Sequence, residues 1–333
     1  MKKIAILTSG GDAQGMNTAI RAVAKTAMFK GWEVYGIRRG YKGMLEDDIY
    51  KMTPLDVSNI ADKGGTILKT ARLPEFKDPK VRALAAENLK KRGIDSLVTI
   101  GGDGSYHGAY YLNIEHGIQT VGLPGTIDND IAGTDFTIGF YTALNIVIDA
   151  ISKLRDTAQS HDRTILVEVM GRNCGDIALN ACIAGGANGV IIPEMPYKIE
   201  AIEEIIRKRR EEGKNFDVIV VSEGVKEGTQ EIARQLKERN PKLDVKVTTL
   251  GHIQRGGSPT AFDRLLATRL GVAAVNLIEK NEADGVMLGI EKTLVVTHKL
   301  QYAWENYEKK DQKFYEIAMM LSCLLYTSPS PRD

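Results

Sequence analysis

Ser96-Leu97-Val98-Thr99-Ile100-Gly101-Gly102-Asp103-Gly104-Ser105 is a strand-length apolar run that stops at three glycines, an acid and a hydroxyl. Glycines at the end of a strand let a polyphosphate approach backbone N–H groups closely, and Asp103 is placed to bind the Mg²⁺ that accompanies such a ligand. A related arrangement follows: Thr120-Val121-Gly122-Leu123-Pro124 reads as a buried strand, Gly125 as its turn, and Thr126-Ile127-Asp128-Asn129-Asp130 as an acidic loop. Its two carboxylates, two positions apart, can divide labour, one taking a proton and the other helping to hold a metal. One turn suits a nucleotide, the other its acceptor.

Outward from these turns, short runs rich in Ile and Val alternate with amphipathic segments. Lys3 to Leu7, Glu33 to Ile37, Leu97 to Ile100, Thr164 to Met170, Gly189 to Ile192, Asp217 to Val221 and Val245 to Leu250 read as strands. Met16 to Phe29, Pro79 to Arg92, Phe140 to Leu154, Ile199 to Glu212 and Thr229 to Glu238 read as helices. Such alternation predicts parallel, doubly wound sheets with ligands at the carboxyl ends of strands. A chain of 333 residues exceeds what one hydrophobic core usually supports, so two lobes are expected.

Charge balance narrows the partners. Lys plus Arg number 44 against 43 Asp plus Glu, so no overall basic field points to nucleic acid or a membrane surface, and anionic ligands must be met by local cations. No run approaches the roughly 18 apolar residues of a membrane span. Cys174, Cys182 and Cys323 lack metal-ligand spacing and are too few for a disulfide framework, which fits a reducing cytoplasm.

Glycine pairs recur at Gly10-Gly11, Gly64-Gly65, Gly101-Gly102, Gly185-Gly186 and Gly256-Gly257, mostly where an element should end. One pair alone marks only a tight turn, but beside acids, hydroxyls and arginines the set reads as phosphate-handling loops. Neither a Walker A pattern nor a dinucleotide fingerprint is present. Arginines complete the picture: Arg155 and Arg163 flank residues 156–162, Met170-Gly171-Arg172 ends a strand, and Gly251-His252-Ile253-Gln254-Arg255-Gly256-Gly257 follows another. An arginine at a strand end beside glycine has the fork geometry to grip a phosphate.

Together, Ser9-Gly10-Gly11-Asp12 with Gly15-Met16-Asn17, Gly64-Gly65-Thr66 through Ala71-Arg72, Gly101 to Ser105, Pro124 to Asp130, Met170-Gly171-Arg172 and Gly251 to Pro259 resemble the bacterial ATP-dependent 6-phosphofructokinases, in order and over about residues 2–322. The resemblance implies two Rossmann-like, doubly wound, three-layer α/β/α lobes with mostly parallel sheets. An ATP lobe of residues 1–139 plus 253–303 and a sugar lobe of 140–252 plus 304–322 are implied, with 323–333 a tail outside the family pattern. It implies a glycolytic phosphotransfer from MgATP to the 1-hydroxyl of fructose 6-phosphate. The implied oligomer is a cytoplasmic homotetramer whose active sites are shared between subunits.

By the same resemblance, Asp128 is the general base, with Arg172 and Thr126 as catalytic partners. Gly11, Arg72, Leu73, Gly102, Asp103, Gly104 and Ser105 meet ATP, with Asp103 as the Mg²⁺ carboxylate. Thr126, Ile127, Met170, Gly171, Glu223, His252, Ile253, Gln254 and Arg255 line the sugar-phosphate pocket. Arg163 and Lys246 grip the phosphate from a neighbouring subunit. Lys246 departs from the usual arginine and keeps the charge without the bidentate fork. Pyrophosphate-dependent relatives carry Asp for Gly104 and Lys for Gly125, so glycine at both positions favours ATP, whereas Lys69, near the same pocket by resemblance, stands where many relatives have a small residue. The pyrophosphate-dependent kinase and a non-catalytic nucleotide-binding subunit are the alternatives. At the family's effector site Arg21, Lys25, Arg155, Gly186 and Lys214 persist. Pro54, Asn59, Asn188, Glu212, Asn215 and Phe216 replace its other usual residues, which predicts weak control by ADP or phosphoenolpyruvate.

Overall fold

The computed structural model describes residues 2–306 and 312–321. The strands are β1 (Lys3–Thr8), β2 (Glu33–Ile37), β3 (Ile49–Lys51), β4 (Ser96–Gly101), β5 (Gln119–Thr126), β6 (Ile138–Gly139), β7 (Thr164–Val169), β8 (Gly189–Ile191), β9 (Asp217–Ser222), β10 (Val245–Thr249), β11 (Val286–Glu291) and β12 (Leu294–Lys299). The helices are α1 (Met16–Phe29), α2 (Gly40–Leu45), α3 (Pro79–Lys90), α4 (Asp103–His116), α5 (Phe140–Ser160), α6 (Asp176–Gly185), α7 (Ile199–Glu211), α8 (Thr229–Arg239), α9 (Ala261–Glu279), α10 (Tyr302–Glu305) and α11 (Gln312–Leu321).

The described residues of Met1–Thr142 and Arg255–Glu308 make one compact unit, and those of Ala143–Gln254 and Lys309–Asp333 make a second. In the first, the sheet order is β12-β11-β5-β4-β1-β2-β3, with β6 paired to the end of β5. Only the outer pairs β2–β3 and β11–β12 are antiparallel. Because central parallel strands are covered on both faces, β4 is buried throughout and reads as a continuous apolar run. Ala5 and Leu7 face a core with Tyr41, Phe76, Leu89 and Leu112, contributed by α2, the turn before α3, α3 and α4. α1 packs against α9, where a Cβ on Gly271 would lie 2.7 Å from that of Ala22, so glycine permits the close approach.

In the second unit, β10-β7-β9-β8 form an all-parallel sheet. Ile202 and Ile206 of α7 and Ile232, Ala233 and Leu236 of α8 cover one face. α6 lies on β8 and β9, with α11 against α6 and β8, so helices flank both faces. At the start of β9, buried Asp217 binds Arg209 Nε at 2.5 Å and Arg210 Nη1 at 3.0 Å and accepts from Thr164 Oγ1 at 3.3 Å.

Several boundaries correct the sequence reading. Gly125 is not a turn: β5 continues through it to Thr126, because β6 supplies two further parallel partners. Asp103 lies in the first turn of α4, not in a loop. α5 continues past Leu154 to Ser160, with Ala158 fully buried. The expected tail 323–333 lies outside the described residues. Among the described residues, no helix is long and apolar enough to cross a membrane.

Removing Asp217 leaves Arg209, only 7% exposed, as a buried cation without its carboxylate. Asp217→Ala is expected to cost about 3 to 5 kcal/mol. A denaturant titration should show its midpoint fall, while Glu231→Ala, which breaks an exposed pair with Arg234, leaves the midpoint nearly unmoved.

Candidate functional site

In the first unit, the carboxyl ends of β1, β4 and β5 adjoin because Thr8 pairs with Ile100 and Gly101 with Pro124. The Ser9 N–H donates to Ile100 O at 3.0 Å. A Cβ on Gly101 would lie 2.5 Å from Ser9 O, so only glycine lets the first loop and the turn before α4 meet. A Cβ on Gly102 would lie 3.9 Å from the Thr126 Cβ, which brings the acidic turn beside them. Gly104 faces open space.

The other glycine motifs join the same edge. Asn17 Nδ2 donates to Lys63 O and Gly64 O, each at 3.1 Å, and its Oδ1 accepts from Ile67 N–H at 2.7 Å. Thr70 Oγ1 reaches Gly10 O at 2.7 Å, and Gln14 Nε2 reaches Gly256 O at 2.6 Å. Arg255 packs its guanidinium on Gly11 and donates from Nη1 to Asp12 O at 2.9 Å. Arg72 is exposed, whereas Leu73 is partly buried against the core under α2 and α3.

The acidic turn is fixed by its own polar groups. Asp128 is 5% exposed, and its N–H meets Thr126 Oγ1 at 3.2 Å. Thr137 donates from Oγ1 to Thr126 O at 2.6 Å and from its N–H to Asn129 Oδ1 at 2.9 Å. Asn129, between the two acids, holds a left-handed backbone with φ of 54°, a conformation that persists only where surroundings impose it. Ile127, expected among the residues that meet the sugar, is fully buried.

In the second unit, the ends of β7, β9 and β10 form a cluster. Glu223 Oε1 accepts from Gly171 N–H at 3.2 Å and Arg172 N–H at 2.9 Å, and Arg172 has a φ of 53° with an exposed side chain. Gln254 is fully buried: its amide oxygen accepts from Met170 N–H at 3.1 Å, and its nitrogen donates to Gly251 O at 3.0 Å. The Gln254 side chain, expected among the residues of the sugar-phosphate pocket, thus holds the backbone of its neighbours. His252 and Ile253 are exposed.

Arg163 and Lys246 come together around Asp244, with Arg163 Nε at 2.8 Å and Lys246 Nζ at 2.7 Å from its two oxygens. Lys246 first, then Arg163, hold that carboxyl below the usual range. The sequence reading missed Asp244, although its position two residues before Lys246 was a signal. It also missed Tyr41, whose hydroxyl donates to Ser105 O at 2.5 Å while its ring stacks on Phe76 at 4.3 Å, bracing the first turn of α4.

The effector candidates divide between the units. Arg21 borders an open cavity of about 630 Å³ with Asn59, Ala61, Asp62, Lys63 and Arg264, while Lys25 is exposed on α1. In the second unit, Arg155 donates to Gly185 O and Gly186 O at the end of α6. Lys214 pairs with Glu212 at 2.9 Å, and Asn188 Oδ1 accepts from Val218 N–H at 2.9 Å.

Comparison with known proteins agrees with this arrangement of motifs. A family model described as Phosphofructokinase matches residues 3–278. The chain is 57% identical over 322 residues to the ATP-dependent 6-phosphofructokinase of Fusobacterium nucleatum subsp. nucleatum, covering 96% of this chain and 99% of the relative. It is 52% identical to that of Shouchella clausii, covering 97% and 100%. Among solved structures, phosphofructokinase from Pichia pastoris in the T-state superposes with a TM-score of 0.87 at 36% identity, covering 96% of this chain but 39% of that one. A pyrophosphate-dependent phosphofructokinase from Marinobacter aquaeolei superposes at 0.82 with 20% identity, covering 96% and 91%, a likeness of fold alone. With its glycine loops, acidic turn and arginine-bearing strand ends in family order, the chain belongs to the phosphofructokinase family.

Proposed function

We propose that the chain transfers the γ-phosphoryl group of ATP to the 1-hydroxyl of fructose 6-phosphate, giving ADP and fructose 1,6-bisphosphate. The observation that carries this reading is that the turn bearing buried Asp128 reaches the open glycine turn through Thr126, whose Cβ would lie 3.9 Å from a Cβ on Gly102. Asp128 takes the hydroxyl proton as that oxygen attacks the γ-phosphorus and the bond to ADP breaks. Phosphoryl transfer of this kind asks mainly for alignment and charge neutralisation.

The backbone of Gly11, Gly102 and Gly104 and the start of α4 cradle the phosphates, where the helix N-terminus favours negative charge. Asp103 is partly exposed in that first turn, and one carboxylate with phosphate oxygens and waters is a donor set that suits Mg²⁺. Bound there, Mg²⁺ would neutralise charge on the β- and γ-phosphates. Arg72 and Arg172 meet the charge on the moving group, and Glu223 holds sugar hydroxyls. Arg163 and Lys246 act on the 6-phosphate of a neighbouring subunit within a tetramer, exchanging Asp244 for it. The reaction is assigned to the cytoplasm.

Effector control is weak in this reading. Glu212 already pairs with Lys214, whose ammonium lowers the glutamate's carboxyl below its usual range, and Arg155 is spent on the end of α6. Phosphoenolpyruvate should therefore shift the half-saturating fructose 6-phosphate concentration by less than about threefold, since each lost charge-assisted contact removes roughly 1.5 to 3 kcal/mol. A shift of tenfold or more would count against it.

Product formation with ATP and with pyrophosphate, measured in parallel, tests the reaction itself. Activity is expected with ATP alone, and Asp128→Ser should lower kcat by about 10² to 10⁴; turnover with pyrophosphate would reverse the donor assignment.

Gly101 and Gly104 separate room from packing. Gly104→Asp should fold with a nearly unchanged melting temperature and lose ATP use, because nothing lies within 4 Å of its built Cβ. Gly101→Ala should destabilise by about 1 to 3 kcal/mol through overpacking on Ser9 and Ser105. Thermal melts and ATP titrations of both variants read the difference.

A further inference from the structure

The acidic turn rests on a residue outside every glycine and arginine motif. Asp263, in the first turn of α9, is fully buried. Its Oδ1 accepts from Gly139 N–H at 2.9 Å, and its Oδ2 accepts from Thr142 N–H at 2.8 Å, Thr142 Oγ1 at 2.5 Å and Thr260 Oγ1 at 3.3 Å. Gly139 and Thr142 flank the start of α5, where backbone N–H groups have no partner within the helix. One carboxylate therefore serves two helix N-termini, and the dipoles of both favour its charge. Burial raises the Asp263 carboxyl while the Thr142 hydroxyl and the Gly139 and Thr142 amides oppose that shift.

The chain of contacts continues to Asp128. Gly139 is the last residue of β6, which pairs Ile138 with Gly125 and Gly139 with Thr126. Thr137 then bonds Thr126 O and Asn129 Oδ1, and Thr126 Oγ1 accepts from Asp128 N–H. A built Cβ on Gly15, in the loop after β1, would lie 2.7 Å from Ile138 Cγ2 and 3.6 Å from Asp263 Cβ, so that loop packs on the same support. Every link between Asp263 and Asp128 is a hydrogen bond or a strand pairing within one unit.

We propose that Asp263 is a positioning residue for Asp128: by fixing Gly139 it holds β6 against the end of β5, and so fixes the turn that carries the base. This rests on the reading of Asp128 as the proton acceptor. The mechanism needs the Asp128 carboxylate within hydrogen-bond reach of the acceptor hydroxyl, and small displacements of such a group lower the rate more than they weaken binding.

The test is a double-mutant cycle on the full chain, with kcat and both KM values measured and folding followed by circular dichroism. Asp263→Asn keeps the volume but replaces one acceptor with an NH₂ group. It is expected to lower kcat tenfold or more while leaving each KM within about threefold. In an Asp128→Ser background the same change should lower kcat by less than threefold, because the group it positions is gone. Equal losses in the two backgrounds, or a raised KM at unchanged kcat, would overturn the proposal while leaving Asp128 as the base. Undiminished kcat in Asp128→Ser alone would overturn both readings. Should Asp263→Asn fail to fold, Thr142→Val carries the same cycle, with Thr142→Ser, which retains the hydroxyl, expected to restore most of kcat; loss equal to that of Thr142→Val would sink the idea.

Discussion

At Gly101 the backbone of one loop meets the backbone of another with no side chain between them, and much of the first unit depends on that contact. The Ser9 carbonyl approaches to a distance that a Cβ could not share. Because β1 and β4 are neighbouring parallel strands, their carboxyl ends arrive at one edge, and the loop after β1 must fold over the turn before α4. Once that approach is made, the loop after β1 and the turn before α4 lie together at the carboxyl ends of the strands. Asn17 and Thr70 then tie the Gly64–Arg72 segment down onto that loop. At Gly101 glycine is thus a packing requirement in its own right, apart from any phosphate that the loops are proposed to bind.

Charge in this chain is distributed by pairing rather than by excess. Asp217 holds Arg209 and Arg210 inside the second unit, Asp244 holds Arg163 and Lys246 at its surface, and Glu212 holds Lys214. These pairs differ in consequence because they differ in exposure. The Asp217 cluster is dry and structural, so breaking it strands a buried cation. The Asp244 cluster is wet, and a doubly charged phosphate oxygen set is a stronger partner for two cations than one carboxylate. In the proposed reading, a partly exposed acid that keeps these two cations oriented until a phosphate arrives costs little in stability.

Most of the sheet was legible because parallel strands covered on both faces must be apolar throughout: β1, β2, β7 and β9 carry runs that end within a residue or so of their structural limits. The hairpin β11–β12 was not legible, since Leu294 to Lys299 mixes exposed Leu294 with Thr297, His298 and Lys299 on an edge strand whose pattern is set by its neighbour. α4 escaped because glycine and tyrosine blur its apolar face. The phosphate loops and acidic turn were visible as residue types that have few other reasons to cluster at strand ends. Burial was not visible, which is why nothing in the motifs marks Ile127 and Gln254 as fully buried among more exposed neighbours such as His252 and Ile253. Asp263 left only the spacing of Thr260 and Asp263 as a helix-start signal, for its partners lie on another helix more than a hundred residues away.

Gly104 and Gly125 carry the same argument about the phosphoryl donor in sequence, but in space they carry different ones. Gly104 faces open space in the first turn of α4, so a side chain there would meet no packed neighbour. Gly125 lies inside β5, where a built Cβ would be 2.9 Å from Ile100 Cγ2 and 3.1 Å from Met16 Cε. A larger residue at that position must first displace core side chains beneath the loops. In this chain, then, a side chain at position 104 has room, whereas one at position 125 would press on Ile100 and Met16. Under the proposed ATP site, a larger residue at Gly125 therefore needs those two side chains to yield with it, while one at Gly104 can be accommodated without repacking the core.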